Sequence, residues 1–85
     1  MRLKAEFLVH RNGDETYLVP AGGGFAGLIR GNAVFGEILS LLAQDRSEAE
    51  LIAALQARYE APEKPLARDV KKALETLRAV GALDE

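Results

Sequence analysis

The residues of this chain that could do chemistry are few and do not form a set. His10 is the only histidine, and it stands in a strand-like segment with no partner nearby in the sequence. Ser40 and Ser47 lie in helical patterns, and neither occupies the Gly-x-Ser-x-Gly turn of an α/β-hydrolase nucleophile. The absence of cysteine excludes disulfides, thiolate metal sites and a cysteine nucleophile. The sequence therefore predicts no catalytic residue and no metal ligand.

Two further features suggest chemistry at first sight, and simpler explanations serve better for both. The glycines at positions 22–24 resemble part of a phosphate-binding loop, but no Lys-Ser/Thr pair follows and the spacing fits no dinucleotide fingerprint. Carboxylate pairs such as Glu48/Glu50 and Asp84/Glu85 lie on exposed or terminal segments, and nothing in the sequence indicates that their pKa values are shifted into a catalytic range. We predict a protein that is not an enzyme and needs no cofactor.

Length and composition bound the class of protein. A chain of 85 residues with 48% hydrophobic and 28% charged residues predicts a single globular domain over residues 1–85. The net charge of −2 disfavours nucleic-acid binding, which usually requires a basic excess. The first residues lack the apolar core of a signal peptide, and no apolar run reaches the length of a membrane span. We expect a cytoplasmic protein without a membrane partner.

Three short segments in the first third of the chain predict an antiparallel sheet. Residues 7–10 and 16–19 form the first two strands, joined by a hairpin turn at residues 11–14 that contains Asn12-Gly13. Pro20 closes the second strand because proline cannot donate to a ladder. Residues 25–30 form the third strand, in which Gly27 would let another backbone approach closely.

The rest of the chain predicts three helices. Asn32 is a good N-cap for a first helix that runs to about Ala43 and has a wide apolar face formed by Val34, Phe35, Ile38, Leu39, Leu41 and Leu42. Ser47 and Glu50 have the spacing of a capping box that opens the second helix. Residues 61–65 form a linker with two prolines, and the third helix ends before Gly81, a residue suited to the C′ position.

The third helix combines an apolar stripe with a charged outer face. Arg68 and Lys72 lie on that face, while Asp69 and Thr76 flank the stripe. Such a face is usually only solvated. Alternatively, part of this helix forms one wall of a groove beside the sheet, where an extended peptide would bind through main-chain pairing and side-chain contacts.

In this order and spacing, the segments resemble the family of coenzyme pyrroloquinoline quinone synthesis protein D. The same fold recurs as the precursor-peptide recognition element of ribosomal-peptide modification systems. The resemblance extends over nearly the whole chain, from about residue 7 to residue 83. The matching stretches are residues 25–32, 38–42, 47–55 with Tyr59, and 69–83.

The chain departs from the family pattern at two positions. Gly31 replaces the usual leucine before the capping asparagine, which loosens the junction after the third strand. Leu39 replaces the usual tryptophan and changes the packing of the core. The resemblance implies an α+β fold of the winged helix-turn-helix type, in which a three-stranded antiparallel sheet precedes a three-helix bundle.

For function, the resemblance implies a non-catalytic peptide-binding adaptor. The leader of a ribosomally made precursor peptide would add as a strand to the third strand, with the third helix as the other wall. The domain would then present the peptide to a modifying enzyme, such as a radical SAM protein. The product would be pyrroloquinoline quinone or another peptide-derived compound. The residues expected to bind the peptide are Phe25, Ala26, Gly27, Leu28, Ile29, Arg30, Arg68, Asp69, Lys72, Ala73 and Thr76.

Two other classes of function remain open at this point. Winged helices also occur in DNA-binding regulators, in which a recognition helix enters the major groove. A free edge strand can instead pair with a second copy of the chain, and the glycines at positions 22–24 would then serve as a hinge for domain swapping in a homodimer.

Overall fold

The described part of the chain, residues 1–21 and 28–85 of a computed structural model, contains a sheet followed by three helices and a pair of very short strands. The elements are β1 (Arg2–Leu3), β2 (Phe7–Asn12), β3 (Glu15–Pro20), β4 (Ile29–Gly31), α1 (Ala33–Leu41), α2 (Glu48–Tyr59), α3 (Glu63–Ala79) and β5 (Leu83–Asp84).

The sheet has the strand order β2-β3-β4, and both pairings are antiparallel. The β2–β3 hairpin is longer than predicted, because Asn12 pairs with Glu15 and extends the ladder beyond His10. The turn is therefore reduced to Gly13 and Asp14, with positive φ only at Gly13. That pattern fits a type II′ turn, in which glycine takes the first central position.

The third strand is shorter in the described residues than the predicted 25–30. Strand β4 begins at Ile29 and continues through Gly31, so Leu28 lies just before it and Gly31 belongs to it. Residues 25–27 of the prediction lie outside the described residues. Ile29 pairs with Leu18 and Gly31 with Thr16, and both partners are buried. Alternation along β4 thus directs Ile29 and Gly31 toward the helices and Arg30 toward the outer face.

The predicted caps of the first two helices are confirmed. The Asn32 side chain accepts a hydrogen bond from the Phe35 amide at 2.9 Å, at the start of α1. Ser47 and Glu50 form the reciprocal capping box of α2. The Ser47 backbone N–H donates to the Glu50 carboxylate and lowers the pKa of that group. Helix α1 ends at Leu41, two residues earlier than predicted. The chain turns there, and the Arg46 Nε donates a hydrogen bond to the Leu41 carbonyl.

The third helix begins earlier and ends where the sequence predicted. Pro65 lies inside the first turn of α3 rather than in a linker, a position that tolerates proline because the first amides of a helix have no intrahelical partner. At the other end, Gly81 has φ of 71° and its N–H donates to Arg78, while the Ala82 N–H donates to Leu77. These two bonds form a Schellman motif.

The core lies between the helices and the inner face of the sheet. The buried stripe of α3 consists of Leu66, Val70, Ala73, Leu74 and Leu77. It packs against buried residues of α1 and α2 and against Leu18 of β3. Four of the five stripe residues are valine or leucine, so Ala73 is the one place where this face of α3 is small.

Two contacts fix α1 against the sheet. The buried Thr16 hydroxyl donates to the backbone carbonyl of Asn32 at 3.0 Å, which joins β3 to the start of α1. The Glu37 carboxylate of α1 lies 3.2 Å from both Arg11 of β2 and Arg58 of α2. The side chain of Glu37 is only 14% exposed, so one carboxylate joins three elements.

Strands β1 and β5 were not predicted from the sequence. They pair antiparallel, with Arg2 opposite Asp84 and Leu3 opposite Leu83. The Leu3 amide also donates to the Leu42 carbonyl, which attaches this pair to the end of α1. Each strand is two residues long, too short for a periodic pattern, and its pairing depends on contacts between opposite ends of the chain.

Candidate functional site

A cavity of about 280 Å³ lies between strand β4 and helix α3. The three residues of β4 form one side, and β4 is an edge of the sheet because it pairs only with β3 in the described residues. The helix forms the opposite side, across the fold from that edge. An edge strand and a neighbouring helix are the two walls that a bound extended segment would need.

The wall contributed by α3 consists of residues at regular helical spacing. Asp69, Lys72, Ala73 and Thr76 lie at positions i, i+3, i+4 and i+7, so they share one face of the helix. Asp69 and Lys72 are exposed at the rim, whereas Ala73 is buried at its base. The Thr76 hydroxyl donates to the Lys72 carbonyl at 3.1 Å and is thus bonded within the helix.

The floor of the cavity is apolar. Phe35 and Ile38 of α1 are 8% and 1% exposed, and Val34 and Ile29 complete this surface. The Phe35 ring covers Gly31, and a Cβ atom at position 31 would lie 2.3 Å from Cδ2 of that ring. The leucine that the family resemblance leads one to expect at position 31 would overlap with this ring, so the phenylalanine occupies that space instead.

The charges around the cavity are mixed. Among the residues that the structure describes, neither Asp69 nor Lys72 forms an ion pair within 4.0 Å. On the outer face of the sheet, Arg30 lies opposite Tyr17. A hydrogen bond from the Tyr17 hydroxyl to the Glu15 carboxylate raises the pKa of Tyr17, and the positive charge of Arg30 opposes that shift.

The structure brings six of the predicted site residues to this one cavity: Ile29, Arg30, Asp69, Lys72, Ala73 and Thr76. Two others lie nearby but do not line it, since Leu28 precedes β4 with 56% of its surface exposed and Arg68 is exposed on α3. Phe25, Ala26 and Gly27 lie outside the described residues. For all eleven predicted site residues, a role in binding a peptide stays a prediction.

Sequence reasoning missed the floor of the cavity. Val34, Phe35 and Ile38 were interpreted only as the apolar face of the first helix, and Gly31 only as a departure from the family pattern. The wide apolar face of α1 is the sequence signal for this floor. A helix face that is broader than one packing partner can cover has apolar residues left to line a groove.

The sheet has a second edge, at β2. A hollow of about 360 Å³ lies beside it, lined in part by Phe7, Val9 and Leu39. It faces α1 and the first residues of the chain rather than α3. This second edge offers a natural comparison for any experiment on the first.

Within residues 1–21 and 28–85, no group of three His, Asp or Glu side chains is arranged to hold a metal ion. None of the helices described is long and apolar enough to cross a membrane.

Comparisons with known proteins agree with this geometry. The profile of the family described as coenzyme PQQ synthesis protein D (PqqD) matches residues 17–83. No curated protein matches the chain. The chain also resembles a solved structure described as "TbiB1 in Complex with the TbiA(beta) Leader Peptide", with a TM-score of 0.77 and 24% identity over 99% of this chain and 95% of that one. The shared fold confirms the α+β arrangement of a three-stranded antiparallel sheet followed by three helices.

Proposed function

We propose, because this chain belongs to the family of coenzyme PQQ synthesis protein D, that it is a non-catalytic adaptor for the leader of a ribosomally made precursor peptide. The observation that carries the proposal is the exposed edge of β4 beside a cavity walled by α3. The likeness to TbiB1, which was solved with a leader peptide, supports a peptide as the partner.

The proposed mechanism is strand addition. The leader pairs with the free backbone groups of β4, and its side chains alternate between the outer face of the sheet and the cavity. Backbone pairing supplies affinity that tolerates variation in the leader sequence. Because a disordered leader must be ordered on binding, we expect a dissociation constant in the micromolar range.

The adaptor would act by delivering the bound leader to a modifying enzyme. Binding through β4 and α3 leaves β2 and the outer face of the hairpin for contact with that enzyme. We propose a radical SAM protein as one such enzyme. The domain itself performs no chemical step. It determines the position along the precursor at which the enzyme starts the modification.

The proposal predicts a localised response to peptide. Isotope-labelled protein would be titrated with synthetic leaders of the precursors encoded near this chain in its genome, and amide shifts would be followed by NMR. We expect saturable shifts at Leu28 to Gly31 and at Asp69 to Thr76. Shifts spread evenly over the molecule, or none from a folded protein with any of these leaders, would contradict the proposal.

A matched pair of variants distinguishes the two sheet edges. Leu28 lies next to β4 and is 56% exposed, whereas Val9 lies within β2, is 38% exposed and has an amide that faces away from β3. Leu28→Pro removes a backbone donor beside the β4 edge and should weaken leader binding at least tenfold. Val9→Pro removes the corresponding outward donor of β2 and, if folded by circular dichroism, should keep binding within about threefold of wild type. Equal binding by wild type and a folded Leu28→Pro variant would rule out strand addition at β4.

Peptide binding is preferred to DNA binding on charge. The net charge of −2 gives a duplex no general attraction, and α2 carries Glu48 and Glu50 in its first turn. A gel shift with duplex DNA that weakened steeply with salt would reverse this preference.

A further inference from the structure

The cavity between β4 and α3 has room for one or two side chains of a bound segment and lies at the lower limit of size for a whole ligand. Its volume of about 280 Å³ greatly exceeds the roughly 30 Å³ that one water molecule occupies. It also falls below the range of about 300–1,000 Å³ that is usual for small-molecule pockets. Part of a bound segment would fill it.

Small residues on both walls create this space. On the helix side, Ala73 is the single alanine in a buried stripe that otherwise consists of valine and leucine. On the strand side, Gly31 has no side chain, and the Phe35 ring lies against it instead of projecting across the cavity. Because Ala73 lines the cavity, a valine or leucine at position 73 would reduce its volume.

Two polar residues that line the cavity, Asn32 and Thr76, form hydrogen bonds within the protein. The Asn32 side chain accepts from the Phe35 amide, and its carbonyl accepts from Thr16. The Thr76 hydroxyl donates to Lys72. Because these polar groups already have partners within the protein and the floor is apolar, the cavity favours an apolar occupant, and the charged groups of Asp69 and Lys72 remain at the rim.

We infer that Ala73 determines the size of the peptide side chain that this cavity accepts, and that the accepted residue is a large apolar one such as leucine, isoleucine, methionine or phenylalanine. This inference rests on the proposed function. A strand added to β4 places every second side chain on the side where Ile29 and Gly31 point. One of those side chains enters the cavity beside Ala73 and sets the register of the leader.

The inference is tested with a displayed library of random twelve-residue peptides. Wild type, Ala73→Leu, Ala73→Gly and Ala79→Leu would each be used to select binders. Ala79→Leu is the matched control, because it makes the same change at an exposed position of the same helix outside the cavity. Each variant would first be checked for folding by circular dichroism and thermal unfolding.

We expect wild type and Ala79→Leu to select peptides with a large apolar residue at one fixed position. Ala73→Leu should bind those peptides at least tenfold more weakly and select glycine, alanine or serine there. Ala73→Gly should shift the selection toward tryptophan and phenylalanine, and it decides the question if Ala73→Leu does not fold.

The outcomes separate this inference from the function on which it rests. The same preferred residue for wild type and for the folded Ala73 variants would overturn the role of Ala73 and leave peptide binding intact. No selected peptide at all from folded wild type would overturn both the inference and the proposed function.

Discussion

At the scale of single residues, Gly36 shows how closely α1 approaches the sheet. A Cβ atom at this position would lie 2.4 Å from Oγ1 of Thr16 and 2.8 Å from Nε of Arg11. Thr16 is fully buried and hydrogen-bonded to Asn32, so it cannot move aside easily. The absence of a side chain at position 36 lets the helix reach the strands that support the cavity.

We therefore expect Gly36→Ala to destabilise the protein. Overpacking costs about 1–3 kcal/mol, which outweighs the roughly 1 kcal/mol by which alanine favours a helix over glycine. Chemical denaturation would measure the loss. Ser40→Ala, an exposed change on the same helix, is the control and should leave stability within about 0.5 kcal/mol. Unchanged or increased stability of Gly36→Ala would show that Thr16 and Arg11 have room to move.

Such close contacts are the part of the site that the sequence did not reveal. The spacing of Asp69, Lys72, Ala73 and Thr76 follows from helical periodicity and was available from the sequence. The packing of Phe35 over Gly31 is a contact between two elements, and its geometry depends on how α1 follows β4. Glycine in a sequence signals freedom or close approach, but not which neighbour makes the approach.

At the scale of elements, α2 ends in an unfavourable backbone conformation. Its C-cap, Glu60, has φ of 51°, in the left-handed region, and it is the one non-glycine residue with positive φ in the described chain. For an L-residue with a side chain this conformation costs about 1–2 kcal/mol. The reversal between α2 and α3 depends on it.

Glu60→Gly should accordingly raise the free energy of unfolding by about 1 kcal/mol. The gain is smaller than the relieved backbone cost because glycine has greater freedom in the unfolded chain. Urea denaturation would measure the gain. The same substitution at Glu63, which is helical in the first turn of α3, should instead lower stability by roughly 0.5–1 kcal/mol. A loss of stability at both positions would mean that the Glu60 side chain contributes more than its backbone costs.

The elements differ in how well the sequence predicts them. Helices α1 and α2 were located well because Asn32 and Ser47 cap them through local hydrogen bonds, which are legible in the sequence. In the described residues, β4 differs from the prediction at Leu28, which lies outside it, and at Gly31, which belongs to it, because a strand is defined by its partner. Thr16 is that partner for Gly31, and no local pattern specifies the pairing.

At the scale of the whole molecule, the pairing of β1 with β5 closes the fold. Leu83 is 8% exposed and belongs to the main core, where it lies opposite Leu3. Leu83→Ala should lower the free energy of unfolding by about 2–5 kcal/mol. For a domain of this size that corresponds to a drop in Tm of roughly 10 °C or more.

Thermal unfolding followed by circular dichroism would measure that drop. Leu8→Ala is the matched control, since Leu8 is 56% exposed on the sheet and its truncation should shift Tm by only a few degrees. Similar shifts for the two variants would show that the last residues of the chain fray without loss to the core.

The candidate site also belongs to this scale, because its walls come from segments about forty residues apart in the sequence. Periodicity can assign a residue such as Ala73 to a face of its helix. It cannot place that face beside β4, since this depends on how α1 packs against both β4 and α3. The helical pattern allows α3 to form a groove wall beside the sheet, and the family resemblance identifies the third strand as the other wall.

The antiparallel pairing of β1 with β5 also allows the order of the segments along the chain to be changed by design. Because Arg2 lies opposite Asp84, a short linker could join the two ends, and the chain could be reopened at the exposed turn of Gly13 and Asp14. Such a circular permutant would preserve the cavity walls. It would lose the exposed ion pair of the Met1 ammonium with Asp45 and the hydrogen bond from that ammonium to the Arg46 carbonyl. A domain with this geometry can be inserted as a cassette into a loop of another protein.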